Sequence, residues 1–310
     1  MKIVAAGASG FLGAELVSRL RARGDEVTRL VRRQPQAPDE SQWDPAAGEL
    51  DLAILESADA VVSLGGVGIG DRRFSESHRR AVLDSRLQVT STLASAIASL
   101  ETPPQVFVSA SAIGFYGDRG DETLTETSAP GSSDDFLVEV VEKWEGAAGA
   151  AVDAGVKVAF LRTGIVLGEG GALSTPVQIL GPIRASQLLL FKLGVGGRFG
   201  SGQQWWSWIS MEDQMRAILH IIDNRLSGAL NLTAPNPARQ GDLAKSLARY
   251  LKRPAFIPTP RFLIEGALGK ARAQALVFTS ARVLPEALLK SGFEFTHPEL
   301  GAAWVSALVS

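Results

Sequence analysis

The sequence predicts an α/β fold of the Rossmann type: a doubly wound parallel sheet with helices on both faces, joined to a smaller mixed α/β domain. Three observations lead to this prediction. An apolar run at residues 2–6 passes directly into a glycine-rich turn and an amphipathic stretch at 14–23. Apolar, β-prone segments then alternate with helical patterns up to about residue 165. From residue 166 onwards, glycine-rich loops and a tryptophan cluster break that alternation.

Apolar runs predict further strands at 26–31, 59–64, 106–109, 156–161 and 229–232. Apolar residues at helical spacing predict helices over about 72–100, 134–154 and 212–224. Residues 34–50 are rich in Pro, Gln and Asp and indicate a loop, which we expect Trp43 to anchor to the core. We therefore assign residues 1–165, with sheet-returning segments at about 204–234, to a nucleotide-binding domain. Residues 166–310 form the smaller, discontinuous substrate-side domain in this division.

The glycine-rich turn after the first strand predicts a site for a dinucleotide pyrophosphate. Its glycines follow a G-x-x-G-x-x-G spacing rather than G-x-G-x-x-G. Residues without side chains let backbone N–H groups and the positive end of a helix dipole approach a pyrophosphate. A tight strand-to-helix turn without a ligand is the alternative. The predicted contacts are Gly7, Ser9, Gly10, Phe11, Leu12 and Gly13.

The second strand ends in Arg32 and Arg33, with no acidic residue beside them. In dinucleotide folds an acid at this place favours NAD, whereas an arginine favours the 2′-phosphate of NADP. The sequence therefore predicts NADP(H); a solvated strand end is the alternative. Leu64 and Gly65 end the strand at 59–64 and are expected beside the cofactor, because ligands lie at the carboxyl ends of such strands. Arg86, inside the next helical pattern, has either a cofactor-binding or a structural role.

Composition and charge exclude several classes of protein. The net charge is −2, which gives no electrostatic footprint for nucleic acid or an anionic membrane. Cysteine is absent, so disulfides, thiolate catalysis and cysteine–zinc sites are excluded. His78, His220 and His297 are far apart in the sequence, so we expect no metal site.

The expected partner is a small-molecule substrate, without nucleic acid or membrane partners. We find no basic-then-apolar leader and no apolar window of about 18 residues, which is typical of a cytoplasmic protein. The sequence also allows a homodimer.

Several ordered blocks resemble the extended short-chain dehydrogenase/reductase superfamily. More narrowly, they resemble its atypical epimerase-like family, the sugar-nucleotide epimerase or cell-division-inhibitor homologues. Besides the glycine turn, the blocks are SASA at 109–112 with YGD at 116–118, LRTGIVLG at 161–168, GSGQQW at 200–205 with SWI at 207–209, LNLTAPNP at 230–237 and RVLP at 282–285. The resemblance covers almost the whole chain. It implies an NADP-binding domain with Arg32 at the 2′-phosphate and with Arg86 and Arg162 as further contacts.

The superfamily's proton relay is altered in this sequence. The superfamily uses a tyrosine whose pKa is lowered by a lysine four residues later, with a serine that holds the substrate oxygen. Counted from Glu126 and Pro130, these positions fall on Phe136 and Val140, and neither side chain can transfer a proton. Lys143 lies about two turns beyond Phe136, and we expect it to be solvated.

Tyr116 is the alternative proton donor, with Ser109 or Ser111 positioning the substrate and Asp118 nearby. The competing interpretation is that Tyr116 packs under the nicotinamide while both serines satisfy backbone groups at the strand end.

The tryptophans at 205, 206 and 208 either stack on a substrate ring or, as we favour, form a packed lid. Ser210 and Asp213 follow these tryptophans. Family members commonly have histidine where this chain has Ser210 and an acid where it has Val67, and both departures weaken a catalytic role for this stretch.

The function that follows is an NADP(H)-dependent oxidoreductase or epimerase-like activity on a small polar, sugar-nucleotide-type substrate. A non-catalytic NADP(H)-binding sensor is the alternative, because both relay residues are lost. An interaction protein that inhibits division is a third interpretation, and it rests on family naming alone.

Overall fold

Seven parallel strands form the central sheet of the protein, which we describe from a computed structural model. The structure describes residues 1–70, 72, 74–171, 173–174, 177–180, 183–255 and 257–308. Within them the strands are β1 Lys2–Ala6, β2 Glu26–Val31, β3 Glu40–Gln42, β4 Ala60–Ser63, β5 Val106–Ala112, β6 Thr123–Leu124, β7 Lys157–Thr163, β8 Ile165–Leu167, β9 Val177–Leu180, β10 Ile183–Ala185, β11 Trp205–Trp206, β12 Trp208–Ser210, β13 Gly228–Leu232, β14 Ala238–Arg239 and β15 Arg282–Val283.

The helices cover both faces of this sheet and build a second layer beyond its carboxyl edge. They are α1 Phe11–Ala22, α2 Ala53–Glu56, α3 Glu76–Ala98, α4 Phe136–Gly146, α5 Gly149–Asp153, α6 Gln187–Lys192, α7 Met211–Asn224, α8 Gln240–Tyr250, α9 Arg261–Leu268, α10 Lys270–Ala273, α11 Glu286–Lys290 and α12 Leu300–Leu308. A 3₁₀ turn spans Ile113–Tyr116, and a π-helical turn spans Gln274–Phe278.

The strand order is β13-β7-β5-β4-β1-β2-β3, and every neighbouring pair is parallel. The chain runs outward from β1 to β3 on one side and then returns beside β1 as β4. This reversal leaves a crevice outside the carboxyl ends of β1 and β4, where ligands bind in open α/β sheets. The predicted doubly wound parallel sheet is therefore confirmed.

Alternate residues of the strands supply two separate cores. Ile3 and Ala5 of β1 face one cluster, which includes Leu16 and Ile218 from α1 and α7. Their neighbours in the same strand face the opposite cluster, which is closed by α3 and α5 and includes Trp43. Trp43 is buried, so the expected anchoring of its loop is confirmed. A third cluster contains only residues after position 166 and gathers Trp208, Phe191 and side chains of α8, α9 and α12.

Two predicted elements differ from the structure. The segment 34–50 was expected to be a loop throughout, but β3 lies within it and extends the sheet next to β2. The helix expected over 134–154 is interrupted, because α4 ends at Gly146 and α5 begins at Gly149. The N–H of Ala147 bonds the carbonyl groups of both Lys143 and Trp144, which tightens the last turn of α4.

Candidate functional site

The glycine turn lies in the crevice between β1 and β4. Gly7 directly follows β1 and has a φ of 77°, a backbone conformation that favours glycine. A Cβ atom on Gly7 would stand 2.6 Å from the amide nitrogen of Gly65 and 2.6 Å from the carbonyl carbon of Leu64. A Cβ atom on Gly13 would collide with the carbonyl oxygen of Gly7. The turn and the end of β4 therefore touch backbone to backbone, which no other residue type at these positions would allow.

The amino terminus of α1 presents free backbone donors. Gly10 caps the helix without a side-chain hydrogen bond, and the first turn carries no acidic residue. Ser9, Gly10 and Phe11 are exposed, whereas Leu12 is half-buried. A helix terminus of this kind binds anions through its N–H groups and its dipole. Phe11 lies against the glycine loop at 168–171, so this loop covers one side of the turn.

Among the described residues at the end of β2, Arg32 is free of polar partners, whereas Arg29 and Arg33 are paired. Arg33 makes hydrogen bonds of 2.8 and 2.7 Å to Glu40, and Arg29 bonds Asp39 at 2.7 Å. The bonds from Arg33 hold the pKa of Glu40 at about 2, below its ordinary value. Arg32 is exposed, and no hydrogen bond or ion pair engages it within the described part of the chain. Since Leu30 pairs with Ala6, Arg32 stands level with the glycine turn.

Arg86 supports the loop after β4. Its guanidinium donates to the carbonyl oxygens of Val67 and Val82, both at 2.9 Å, and lies 4.8 Å from the centre of the Trp144 ring. The side chain is buried, and this burial lowers its pKa to about 10. Its donors thus hold the segment that follows Leu64 and Gly65 in place. A direct cofactor contact by Arg86 stays a prediction.

A buried hydrogen-bond network joins Ser111, Arg162 and Tyr116. Glu145 is its centre: it accepts from Ser111 Oγ at 2.6 Å and from Arg162 at 2.9 and 2.8 Å. Arg162 also donates to the Tyr116 hydroxyl at 3.1 Å, and that hydroxyl donates to Asn231 Oδ1 at 2.8 Å. Burial raises the pKa of Tyr116 above its ordinary value. The phenol is therefore held protonated between two fixed partners.

Ser109 lies outside this network. It is fully buried in β5, and its hydroxyl makes a hydrogen bond of 3.4 Å to the neighbouring carbonyl oxygen of Ala110. Such a bond satisfies a strand-end backbone group, as the competing interpretation of the serines expects. Arg162 adds a ring contact, since its guanidinium carbon lies 3.4 Å from the centre of the Phe115 ring.

The network extends beyond the predicted residues to the carboxyl-terminal segment. Glu126 accepts from the backbone N–H groups of Asn231 and Ala287, at 3.0 and 3.2 Å. Asn231 in turn donates to the carbonyl oxygen of Leu284 at 2.9 Å. Sequence reasoning missed Glu145 and Asn231 as partners. The available signal was the buried strand position of Arg162, since a buried guanidinium requires a carboxylate.

The residues at the altered relay positions carry apolar side chains. Val140 is buried, and Phe136 is half-buried with its ring centre 5.6 Å from that of Phe74. Lys143 is exposed and bonds Glu139 at 2.6 Å, so the expectation that it is solvated is confirmed.

The tryptophan cluster is mainly a packed structure. Trp206 and Trp208 are buried, and their indole N–H groups donate to the carbonyl oxygens of Val277 and Asn236. Trp205 is half-buried and donates to Asp121 at 2.9 Å. These contacts fit the packed lid that the sequence favours.

Ser210 and Asp213 have structural partners. Ser210 caps α7 by accepting from the N–H of Asp213, and its hydroxyl lies 3.0 Å from Nδ1 of His297. Asp213 accepts from the backbone N–H groups of Thr296 and His297, both at 2.8 Å. This arrangement pins the carboxyl-terminal segment to the start of α7.

Two other kinds of site are absent from the residues that the structure describes. No helix among them combines the length and the apolarity needed to cross a bilayer. Within the same ranges, His, Asp and Glu side chains nowhere gather in groups of three or more that could hold a metal ion.

Two family models match the chain. Residues 3–232 match the model described as the NAD dependent epimerase/dehydratase family. Residues 259–304 match a model described only as a domain of unknown function. The first model spans the sheet and the glycine turn, and the second spans the carboxyl-terminal helices.

Similar proteins match nearly the whole chain. An epimerase family protein of Mycobacterium leprae is 38% identical over 303 residues, which are 97% of this chain and 94% of that protein. The crystal structure of human epimerase family protein SDR39U1 with NADPH superposes with a TM-score of 0.88 at 35% identity and covers 100% of both chains. A nucleoside-diphosphate sugar epimerase structure from Corynebacterium glutamicum gives a TM-score of 0.77 at 36% identity, over 99% of this chain and 58% of that one.

Proposed function

Since the chain belongs to the NAD dependent epimerase/dehydratase family, we propose that it is an NADP(H)-dependent oxidoreductase or epimerase of the extended short-chain dehydrogenase/reductase type. Its substrate is a small polar molecule of the sugar-nucleotide kind. The similar human structure contains NADPH, and the similar bacterial structure is that of a nucleoside-diphosphate sugar epimerase, which supports both parts of the proposal.

The glycine turn fits a dinucleotide pyrophosphate. Gly7 and Gly13 leave no room for side chains, so the turn stays tight and its N–H groups remain close to the crevice. Gly10 at the uncapped start of α1 lets a phosphate approach the helix dipole. In the proposed complex Ser9, Phe11 and Leu12 border the pyrophosphate, while Leu64 and Gly65 line the adenosine side.

Arg32 is the single observation that carries the choice of NADP(H). It is exposed at the end of β2 and has no polar partner in the part of the chain that the structure describes. The neighbouring acids, Asp39 and Glu40, are bonded to Arg29 and Arg33. A free guanidinium binds a phosphate strongly and in a fixed geometry. No free carboxylate among these residues would bond the ribose hydroxyls of NAD instead. We therefore place the 2′-phosphate at Arg32.

When bound, the nicotinamide of NADP(H) supplies or accepts a hydride at its C4 atom. The residues of this chain then have to hold the substrate and exchange a proton with it. Ser111 is the best placed of the predicted hydroxyl groups, since its proton goes to Glu145 and its oxygen keeps acceptor capacity. We propose that Ser111 positions the substrate and that Ser109, which is fully buried, supports the strand end.

Tyr116 as the proton donor remains a prediction. Its hydroxyl donates to Asn231 and accepts from Arg162, so a proton transfer to substrate would require this pair of bonds to break. That geometry supports the packed role of Tyr116 over the catalytic one.

Titration calorimetry with NADPH and NADH tests the proposed cofactor. At constant ionic strength we expect NADPH to bind at least about tenfold more tightly than NADH, because each factor of ten needs only about 1.4 kcal/mol. Absence of NADPH binding, or a preference for NADH, would contradict the proposal. A panel of sugar nucleotides, followed by NADPH absorbance, then tests the reaction; bound NADPH that no substrate oxidises would favour a sensor.

The domain division and the partners are also proposals. Residues 1–165 with about 204–234 would hold the cofactor, and residues 166–310 would hold the substrate, which fits the separate apolar cluster after residue 166. We propose a cytoplasmic location. We also propose that no nucleic acid is a partner, because the net charge is −2. Light scattering after size exclusion decides between a monomer and a homodimer.

A further inference from the structure

Arg79 lies between two phenyl rings near the amino termini of α3 and α4. Its guanidinium carbon is 4.9 Å from the centre of the Phe136 ring and 5.7 Å from that of Phe74. The two rings also meet edge to face. We call Phe74, Arg79 and Phe136 the Arg79 cluster. Arg79, Phe74 and Phe136 are each half-buried, so the cluster is partly accessible to solvent.

The guanidinium of Arg79 has no polar partner among the residues that the structure describes. Its Nε atom is buried without a hydrogen bond, and no carboxylate of the described residues lies within ion-pair distance. The next residue, Arg80, is paired with Glu76 at 3.0 Å. A guanidinium carries five N–H donors, and burying one of them unpaired is costly. Contacts with aromatic rings stabilise the charge but satisfy none of these donors.

The cluster stands at the same edge of the sheet as the glycine turn. α3 begins after the loop that leaves the carboxyl end of β4, and His78 at its start lies 3.3 Å from the carbonyl oxygen of Ile69 in that loop. A 3₁₀ turn follows the carboxyl end of β5, and the first turn of α4 packs against it, with Gly114 beside Leu137. Both helices therefore point their amino termini toward the ligand-binding edge.

We propose that Arg79 binds an oxyanionic group of the substrate, a carboxylate or a phosphate. This inference rests on the proposed function and adds to it the residue that would hold a charged group of the substrate. An oxyanion would accept the unpaired N–H donors, and the two rings would exclude water around the pair, which strengthens a charge-assisted hydrogen bond. Arg79 would then select charged substrates over neutral analogues of the same shape and fix their orientation over the crevice.

Binding of simple anions to the NADPH-saturated protein tests this proposal. The probes are inorganic phosphate and malonate, titrated by calorimetry at constant ionic strength. NADPH occupies Arg32 during the titration, so that arginine does not contribute. We expect saturable binding to the wild type, with affinity lowered at least about tenfold in Arg79→Gln. Arg80→Gln is the matched control and should bind as the wild type does. Tighter phosphate binding identifies a phosphorylated substrate, and tighter malonate binding a carboxylate.

Arg79→Lys is a second variant that keeps the test informative if Arg79→Gln does not fold. Lysine keeps the charge but offers no planar fork, so its affinity should fall between those of the wild type and Arg79→Gln. A purely packing role would lower the melting temperature of Arg79→Gln and leave anion affinity unchanged. Equal anion affinity in wild type and Arg79→Gln, or no saturable binding to the wild type, overturns the Arg79 proposal while NADPH binding stands. If the wild type does not bind NADPH, the proposed function itself is overturned.

Discussion

Two arginines at the carboxyl edge of the sheet have opposite surroundings. Arg32, after β2, is exposed and has no polar partner in the described structure. Arg162, near the end of β7, is 5% exposed and gives its donors to Glu145 and Tyr116. The resemblance to the family assigned both to the cofactor. A guanidinium with free donors can bind a ligand, whereas the donors of Arg162 are engaged within the fold. A direct cofactor contact by Arg162 stays a prediction.

The comparison predicts a separation of effects. Changes around the glycine turn and Arg32 should alter NADPH binding, and changes around Arg162 should alter stability. A change at Gly7 should alter both NADPH binding and stability, because Gly7 is part of the glycine turn and also contacts the backbone at the end of β4.

Gly7→Ala should have the largest effect. Its Cβ atom would meet backbone atoms of Leu64 and Gly65 that cannot move independently, and its φ of 77° would be strained. We expect a loss of about 3 to 5 kcal/mol in unfolding free energy and no measurable NADPH binding. Chemical denaturation and calorimetry measure both. Gly24→Ala is the control, since Gly24 has a φ of 89° but nothing within 4 Å of its Cβ position; an equal loss in both variants would leave only the backbone strain.

Glu145→Gln should have the second largest effect. It removes the carboxylate that pairs with Arg162 and leaves a buried guanidinium uncompensated. The expected loss of unfolding free energy is about 2 to 4 kcal/mol, since breaking a buried ion pair is strongly destabilising. Glu139→Gln, on the same helix, breaks an exposed pair with Lys143 and should cost less than about 1 kcal/mol. Similar losses in these variants would show that burial of the Arg162 pair contributes nothing.

Tyr116→Phe should have a smaller effect, because it removes one hydrogen bond at the end of the network opposite Ser111. It leaves Asn231 Oδ1 without its donor, so we expect a loss of about 1 to 2 kcal/mol in unfolding free energy. NADPH affinity should not change. A substrate panel read by NADPH absorbance adds a second result: a fall in turnover by about a hundredfold or more, at unchanged stability, would assign the proton to Tyr116 instead.

The ion pair at the end of β2 should make stability depend on pH in the acid range. The pKa of Glu40 is about 2, against an ordinary value of 4.5, because Arg33 bonds its carboxylate. A lowered pKa adds stability that is complete above the unfolded-state pKa and disappears as the pH falls through the folded-state pKa. The difference in unfolding free energy between wild type and Glu40→Gln should therefore shrink as the pH falls from about 4.5 to about 2. A constant difference over this range would contradict the pairing.

The sequence indicated the sheet and the glycine turn because parallel strands are buried on both faces. Such strands appear as continuous apolar runs, and β4, with residues Ala60–Ser63, is an example. β3 was missed because its residues, Glu40–Gln42, are polar; pairing with β2 and bonds from Arg29 and Arg33 to Glu40 hold it at the edge.

The candidate site was only partly predictable, because whether a side chain is free to bind a ligand depends on partners that are distant in the sequence. The strand pattern put Gly7 and Leu64 at the carboxyl ends of their strands, and the structure shows that these strands are neighbours. It could not show that Tyr116 bonds Asn231, which is 115 positions away in the sequence. Nor could it show that Arg79 is unpaired while Arg80 is not, since that depends on which side of α3 meets the rings.

We propose that the guanidinium of Arg32, which has no polar partner among the described residues, selects NADP(H). Calorimetric titration of wild type, Arg32→Gln and Arg33→Gln with NADPH and NADH tests it most directly. Arg32→Gln should lose about ten- to a hundredfold in NADPH affinity, as expected for lost hydrogen bonds to a charged group. Its NADH affinity and stability should stay as in the wild type, and Arg33→Gln should keep the preference for NADPH. An unchanged ratio of NADPH to NADH affinity in Arg32→Gln would contradict the claim.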